Sequence, residues 1–212
     1  MIENQLAMDA LSGRWRELCL RCGVEADEDW NLLLSHYGEA GRGYHTLSHI
    51  ADCLMTFDRH PGLALRPDAL EMAIWLHDVI YDPRAVDNEE KSAAHAEEFL
   101  ADSKISREVA GLILATRHSE ESPPPGDASL IVDIDLSILG AEPFIYDRYA
   151  AAIRREYQHV PDEAYASGRA AVLSKFLARP RIFTNHAFAE AFEEPARENL
   201  REEIRRLTGR AD

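Results

Sequence analysis

Apolar residues recur at helical spacing along nearly the whole chain, and this constrains the fold more than any other feature. Leu11, Trp15, Leu18 and Cys22 follow a 3.6-residue period, and Gly23 supplies a stop. Trp30, Leu33, Leu34 and Tyr37 continue in a second helix behind the acidic start Asp27-Glu28-Asp29, which suits an N-terminal dipole. A third, with Thr46 or Ser48 as cap, carries Ile50, Leu54 and Phe57 and ends near His60-Pro61. Pro67-Asp68 opens a fourth, Ala69 to Ile80, whose apolar faces predict a central position and whose last turn carries His77 and Asp78.

Asn88 caps a fifth helix and Ser106 a sixth, and Ser122-Pro123-Pro124-Pro125-Gly126 is the clearest loop. Ile131 to Leu136 alternates like a strand. No other segment could pair with it, so a helix is the better expectation. Helices over Ile145–Tyr157, Tyr165–Leu177, Thr184–Phe192 and Arg197–Leu207 complete an all-α reading, a helical bundle in which residues 1–212 form a single domain.

The formal net charge of -15 argues against a nucleic-acid polymer as partner, because phosphate backbones reward the opposite sign. A small phosphorylated substrate remains compatible, since a bound cation reverses the local field. The start Met1-Ile2-Glu3-Asn4-Gln5 is not that of a signal peptide, and no apolar run reaches membrane-spanning length. These features predict a cytoplasmic protein without a membrane partner, and they leave homo-oligomerisation open. Three cysteines fit a reducing compartment; Cys19-Leu20-Arg21-Cys22 lacks the βαβ context of a redox pair and the second pair of a zinc site.

Against this apolar background a few polar residues stand out. His77-Asp78 closes a very apolar helix, where the dipole disfavours an aspartate unless a cation is near. His45 and His49 are four apart, but no Glu follows the first, so this is not the zincin motif. His49, inside the helix, is the better ligand, and His45 suits a supporting role or a substrate oxygen. Asp133 and Asp135 lie among Ile131, Val132, Ile134 and Leu136, where a carboxylate needs a partner; one of them could cap a helix from Leu136. A mixed N/O set of this kind suits one divalent ion such as Mn, Mg, Co, Ni, Fe or Zn.

The order of these residues, a histidine, an adjacent His-Asp doublet and a distant aspartate in a helical chain, resembles the HD-domain superfamily of metal-dependent phosphohydrolases. Asp133-Ile-Asp135-Leu-Ser-Ile-Leu-Gly140 is similar to a D-A-D-x-L-x-x-L-G segment of several members. The wider set from Tyr44-His45-Thr46 through His77-Asp78 and Asn88-Glu89-Glu90-Lys91-Ser92 to Asp135-Leu136 carries the likeness from about Trp15 to Leu207.

The resemblance implies an all-α HD-type domain with His49, His77, Asp78 and Asp135 as metal ligands, Asp133 being the rival for the last place. It implies hydrolysis of a small phosphate ester, a nucleotide among the candidates. Members with two metals carry two further histidines, for which His118 and His95 are the available residues; the sequence fits one metal better. Asp78 would both bind the ion and orient a water, with His118 and Lys91 as further catalytic candidates. His45, Arg117, Asn88 and Ser92 would contact the substrate. Arg148, Arg154 and Tyr157 follow Asp135 closely enough to line a pocket. The rival readings are an iron-dependent HD-type oxygenase, which needs the fuller ligand set, and a non-catalytic metal- or ligand-binding protein.

Overall fold

The computed structural model describes residues 2–24, 27–101, 103–118 and 123–209. Its described residues form ten α-helices, one 3-10 turn and no strand, so the all-α expectation holds. Ser122, the first residue of the proline loop, lies outside the described residues.

Helix α4 (Pro67–Leu76) is the centre. Every residue from Ala69 to Leu76 is buried, and the helix packs against α1 (Ile2–Cys22), α3 (Leu47–Asp58), α5 (Asn88–Phe99), α6 (Ser106–Ala115) and α7 (Asp127–Leu136). Trp15 of α1 and Trp30 of α2 (Asp27–Tyr37) meet Trp75 edge to face, at 5.5 and 6.1 Å between rings. Such contacts add about 0.5–1.5 kcal/mol each beyond the area they bury. Asp127, at the start of α7, accepts hydrogen bonds from the Leu65 and Arg66 amides and fixes the entry to α4.

Helix α4 is shorter than its apolar pattern predicts. It stops at Leu76, and His77 and Asp78 fall in the turn beyond, not in the last helical turn. The carbonyls that would carry the helix on meet other donors, Ile74 the His77 Nδ1–H and Trp75 the Tyr37 hydroxyl, and side chains hold the turn beyond. Arg42 donates to the Asp78 and Val79 carbonyls at 2.7 and 2.9 Å. The Ser92 hydroxyl bonds both the N–H and the C=O of Ile80.

The second half closes over this core. A 3-10 turn at Ser137–Gly140 follows α7 and packs against α8 (Pro143–Glu156) and α10 (His186–Thr208), with α9 (Asp162–Ala178) lying on α10. At Gly140 a Cβ would come within 2.7 Å of Phe192, so only glycine allows this approach. The two helices expected over Thr184–Phe192 and Arg197–Leu207 are one, with Pro195 inside it. Proline forfeits one backbone bond there, but Phe188, Ala196, Asn199 and Leu200 are buried on both sides of it and hold the helix together. Glu193 and Arg197, an i,i+4 ion pair, are partly buried, and Glu193 accepts the Ile182 and Phe183 amides.

Candidate metal centre and adjoining cavity

Three elements bring His49, His77, Asp78 and Asp135 into one cluster, in which His49, His77 and Asp78 form one group that could hold an ion and His49, Cys53 and Asp135 form another. His49 stands in the first turn of α3, His77 and Asp78 follow α4, and Asp135 is near the end of α7. The His49 Nε2 lies 3.2 Å from His77 Nε2, 3.2 Å from Asp135 Oδ1 and 3.5 Å from Asp78 Oδ2. His77 Nε2 is 3.1 Å from Asp78 Oδ2 and 3.7 Å from Asp135 Oδ1. Ligands about 2.1 Å from a common ion stand roughly 3.0 Å apart at an octahedral edge and roughly 3.4 Å at a tetrahedral one. The observed spacings bracket both.

Tautomer and charge agree with that fit. His77 Nδ1–H donates to the Ile74 carbonyl at 3.0 Å, which leaves the Nε2 lone pair of the neutral ring facing the cluster. Burial alone would lift both carboxyls. The charges and hydrogen bonds of the surrounding histidines outweigh it and hold Asp78 and Asp135 below the ordinary carboxylate range, Asp135 well below. Burial likewise disfavours charge on His77, yet Asp78 and Asp135 reverse this and raise its basicity well above an ordinary imidazole. The field at this point therefore demands positive charge, from protons or from a metal ion. The Cys53 thiol approaches the His49 ring at 3.7 Å, and burial keeps it protonated.

Asp133 cannot share the site. Residues two apart on a helix point about 200° away from each other. Asp133 faces the start of α10, where it accepts the Thr184 and Asn185 amides at 2.9 and 2.6 Å and the Asn185 side-chain amide at 2.8 Å. It is a buried anchor for α10, and Asp135 alone reaches the centre from α7.

Beside the donors lies a cavity of about 540 Å³. His45 lines it from the loop before α3. Its Nδ1 meets Glu156 Oε2 at 2.8 Å, and its ring stacks on Tyr81 at 4.1 Å. Glu156, at the end of α8, is fully committed: Oε1 accepts the amides of Gly43, Tyr44 and His45, and Oε2 also accepts the Tyr81 hydroxyl. Burial would push this carboxyl up, but His45 and those amides hold it down to about 2. Burial also opposes charge on His45, and Asp78, Glu156 and Asp135 together overcome it and raise its basicity. Gly43 permits the approach, since a Cβ there would sit 2.4 Å from the Ala152 carbonyl oxygen.

Arg42 ties the two ligand-bearing segments together. Its guanidinium, 2% exposed, donates to the carbonyls of His45, Asp78 and Val79 and lies between the Tyr37 and Tyr81 rings. Sequence reasoning singled out neither Arg42 nor Glu156. Arg42 lies between Gly41 and Gly43 in a segment with no helical pattern, and Glu156 reads locally as one more charge on a surface helix.

The remaining sequence candidates divide. His118 bonds Asp135 Oδ2 at 3.0 Å and lines the cavity; its φ of +53° is the left-handed conformation, uncommon for side chains other than Asn, Asp and His. Arg117 lines the cavity and pairs with Glu90 at 2.5 Å. Asn88 also borders it, with its side-chain amide bonded both ways to the Asp82 backbone. Ser92 is not a substrate contact: it is fully buried and serves Ile80. Lys91 is not in the site either, because it pairs with Asp87 across one helical turn at the surface. His95 packs against His36, on the side of α5 facing Trp15 and Leu33, and does not join His118. Tyr157 lines the cavity as expected, while Arg154 turns to the Tyr157 and Val160 carbonyls and Arg148 is exposed.

The Cys19/Cys22 pair lies at the end of α1, and burial pushes the Cys22 thiol up to about 11, far from a reactive thiolate. No helix among the described residues is long and apolar enough to cross a membrane. Compared with protein-family models, curated proteins and solved structures, the chain matches none.

Proposed function

We propose that the protein is a metal-dependent phosphohydrolase acting on a small phosphate ester, with a nucleotide among the candidate substrates. The observation that supports this best is the convergence of two carboxylates on the paired His49 and His77 rings, each contact to an imidazole nitrogen being 3.1 to 3.7 Å, at the edge of a cavity. His49, His77, Asp78 and Asp135 would hold one divalent ion. Such an ion supplies Lewis acidity towards phosphate oxygens and towards a nucleophilic water.

The chain's own residues supply the rest. Asp78, its side chain 16% exposed, offers its second carboxylate oxygen to orient a water. His45 is held by Glu156 through Nδ1, so Nε2 is the atom free to meet a substrate. Against the cost of burial, Asp78, Glu156 and Asp135 raise its basicity, which suits Nε2 to a leaving-group oxygen as the ester bond breaks. His118 fixes the orientation of Asp135. Arg117, with Arg169, Lys175 and Arg179 from α9 and beyond, gives the cavity wall a cationic side in an otherwise acidic protein. His95 packs against His36, so among the described residues it adds nothing to the cluster in support of an iron-dependent oxygenase.

The test is elemental analysis together with a phosphoester screen on wild type and His77→Ala. The expected result is one ion per chain and metal-dependent turnover in wild type, and loss of both in a folded variant, with activity down at least about 10³-fold. Unchanged turnover after complete metal removal would overturn the proposal. A metal-loaded wild type with no turnover on any ester would favour a binding protein instead.

A further inference from the structure

Four tyrosines line the cavity, and three of their hydroxyls are engaged. Tyr81 donates to Glu156, Tyr149 accepts from Arg169 at 3.2 Å, and Tyr157 reaches Tyr81. The fourth, Tyr44, is different. Its ring is packed from three sides, 4.6 Å from His49, 5.1 Å from His45 and 4.7 Å from Tyr149, and its amide is bonded to Glu156 at 2.8 Å. Its hydroxyl makes no hydrogen bond to any described residue, and it is not among the buried unpaired polar atoms, so it opens to the cavity.

A phenol whose ring is held on three sides while its hydroxyl stays open beside a charged centre is placed to bond whatever enters the cavity. The packed ring also lets the hydroxyl act without the entropic cost of ordering a mobile side chain.

We propose that Tyr44 is a catalytic residue whose hydroxyl donates a hydrogen bond to an oxygen of the phosphoryl group in the cavity. The assignment rests on the phosphohydrolase reading above. No proton is transferred; the O–H dipole stabilises negative charge on the phosphoryl oxygens alongside His45. The neighbouring ring contacts explain why a tyrosine sits immediately before His45: the same backbone amides that Glu156 grips set both side chains.

Tyr44→Phe keeps the ring and removes only the hydroxyl. Compared with wild type, kcat/KM on the best phosphoester should fall about 10- to 100-fold. Metal content and thermal midpoint should not change. Inorganic phosphate binding to the metal-loaded protein, measured by calorimetry, should weaken about 5- to 10-fold, a readout that does not depend on turnover. Equal phosphate affinity in the two proteins would overturn the role of Tyr44 even if wild type is an active phosphohydrolase. Loss of metal or of folding in Tyr44→Phe would also overturn it, by showing a structural role. Absence of turnover in wild type, with phosphate affinity still reduced in the variant, would overturn the phosphohydrolase reading and keep Tyr44 as an anion contact.

Discussion

His45 and His49 are four residues apart, yet the structure gives them opposite surroundings. His49 is buried at the first turn of α3, with His77, Asp78 and Asp135 facing its Nε2. His45, just before the helix, is held through Nδ1 by Glu156, a residue more than a hundred positions away. Residue type and spacing therefore do not set the task of a histidine here; the direction of its carboxylate partner does. Where carboxylates meet the ring nitrogen, the arrangement could hold a cation. Where one carboxylate sits behind the ring, it fixes the ring at the cavity wall.

The sharpest way to break this comparison is to remove the partner behind His45. Glu156→Gln should reduce turnover about 10²-fold while leaving metal content intact, as steady-state kinetics and elemental analysis will show. The same variant has a pH signature. The folded Glu156 carboxyl lies near 2 against an ordinary 4.5, so it contributes stability fully above about pH 4.5 that is lost as pH falls towards 2. That contribution is about 3 kcal/mol by linkage, and the acid limb of chemical-denaturation stability should flatten in Glu156→Gln.

A smaller effect belongs to the link between the two regions. Arg42→Lys loses the fork that binds the His45 and Asp78 carbonyls together. Titration calorimetry should show divalent-ion affinity weakened about 10-fold, with His45-dependent turnover reduced alongside it. Smallest of all, Lys91→Ala should leave activity unchanged and stability within about 0.5 kcal/mol, because its ion pair with Asp87 is exposed.

The helices were legible in the sequence because burial imposes a 3.6-residue pattern wherever one face meets the core. Even Ile131–Leu136, with its strand-like alternation, read correctly once no partner strand could be found. Pro195 misled because local propensity cannot see the buried contacts that carry α10 through it. Within the site, the clustered donors were legible as carboxylates and imidazoles out of place among apolar neighbours. Glu156 and Arg42 were not, since both act across long sequence separations and neither sits in an apolar run. Lys91 and Ser92 show the converse error: nearness in sequence to a ligand doublet does not bring a side chain into its site.

Asp133 and Asp135 carry the central claim in its most direct form, being the same residue type two positions apart on one helix. The decisive measurement is calorimetric titration of Mn²⁺ into chelator-treated wild type, Asp135→Asn and Asp133→Asn, with thermal unfolding of each. The account predicts one ion per wild-type chain, binding weakened at least about 10²-fold in Asp135→Asn, and binding retained in Asp133→Asn at a stability cost of about 1–3 kcal/mol. Binding lost in Asp133→Asn but kept in Asp135→Asn, or no binding to wild type at all, would contradict it.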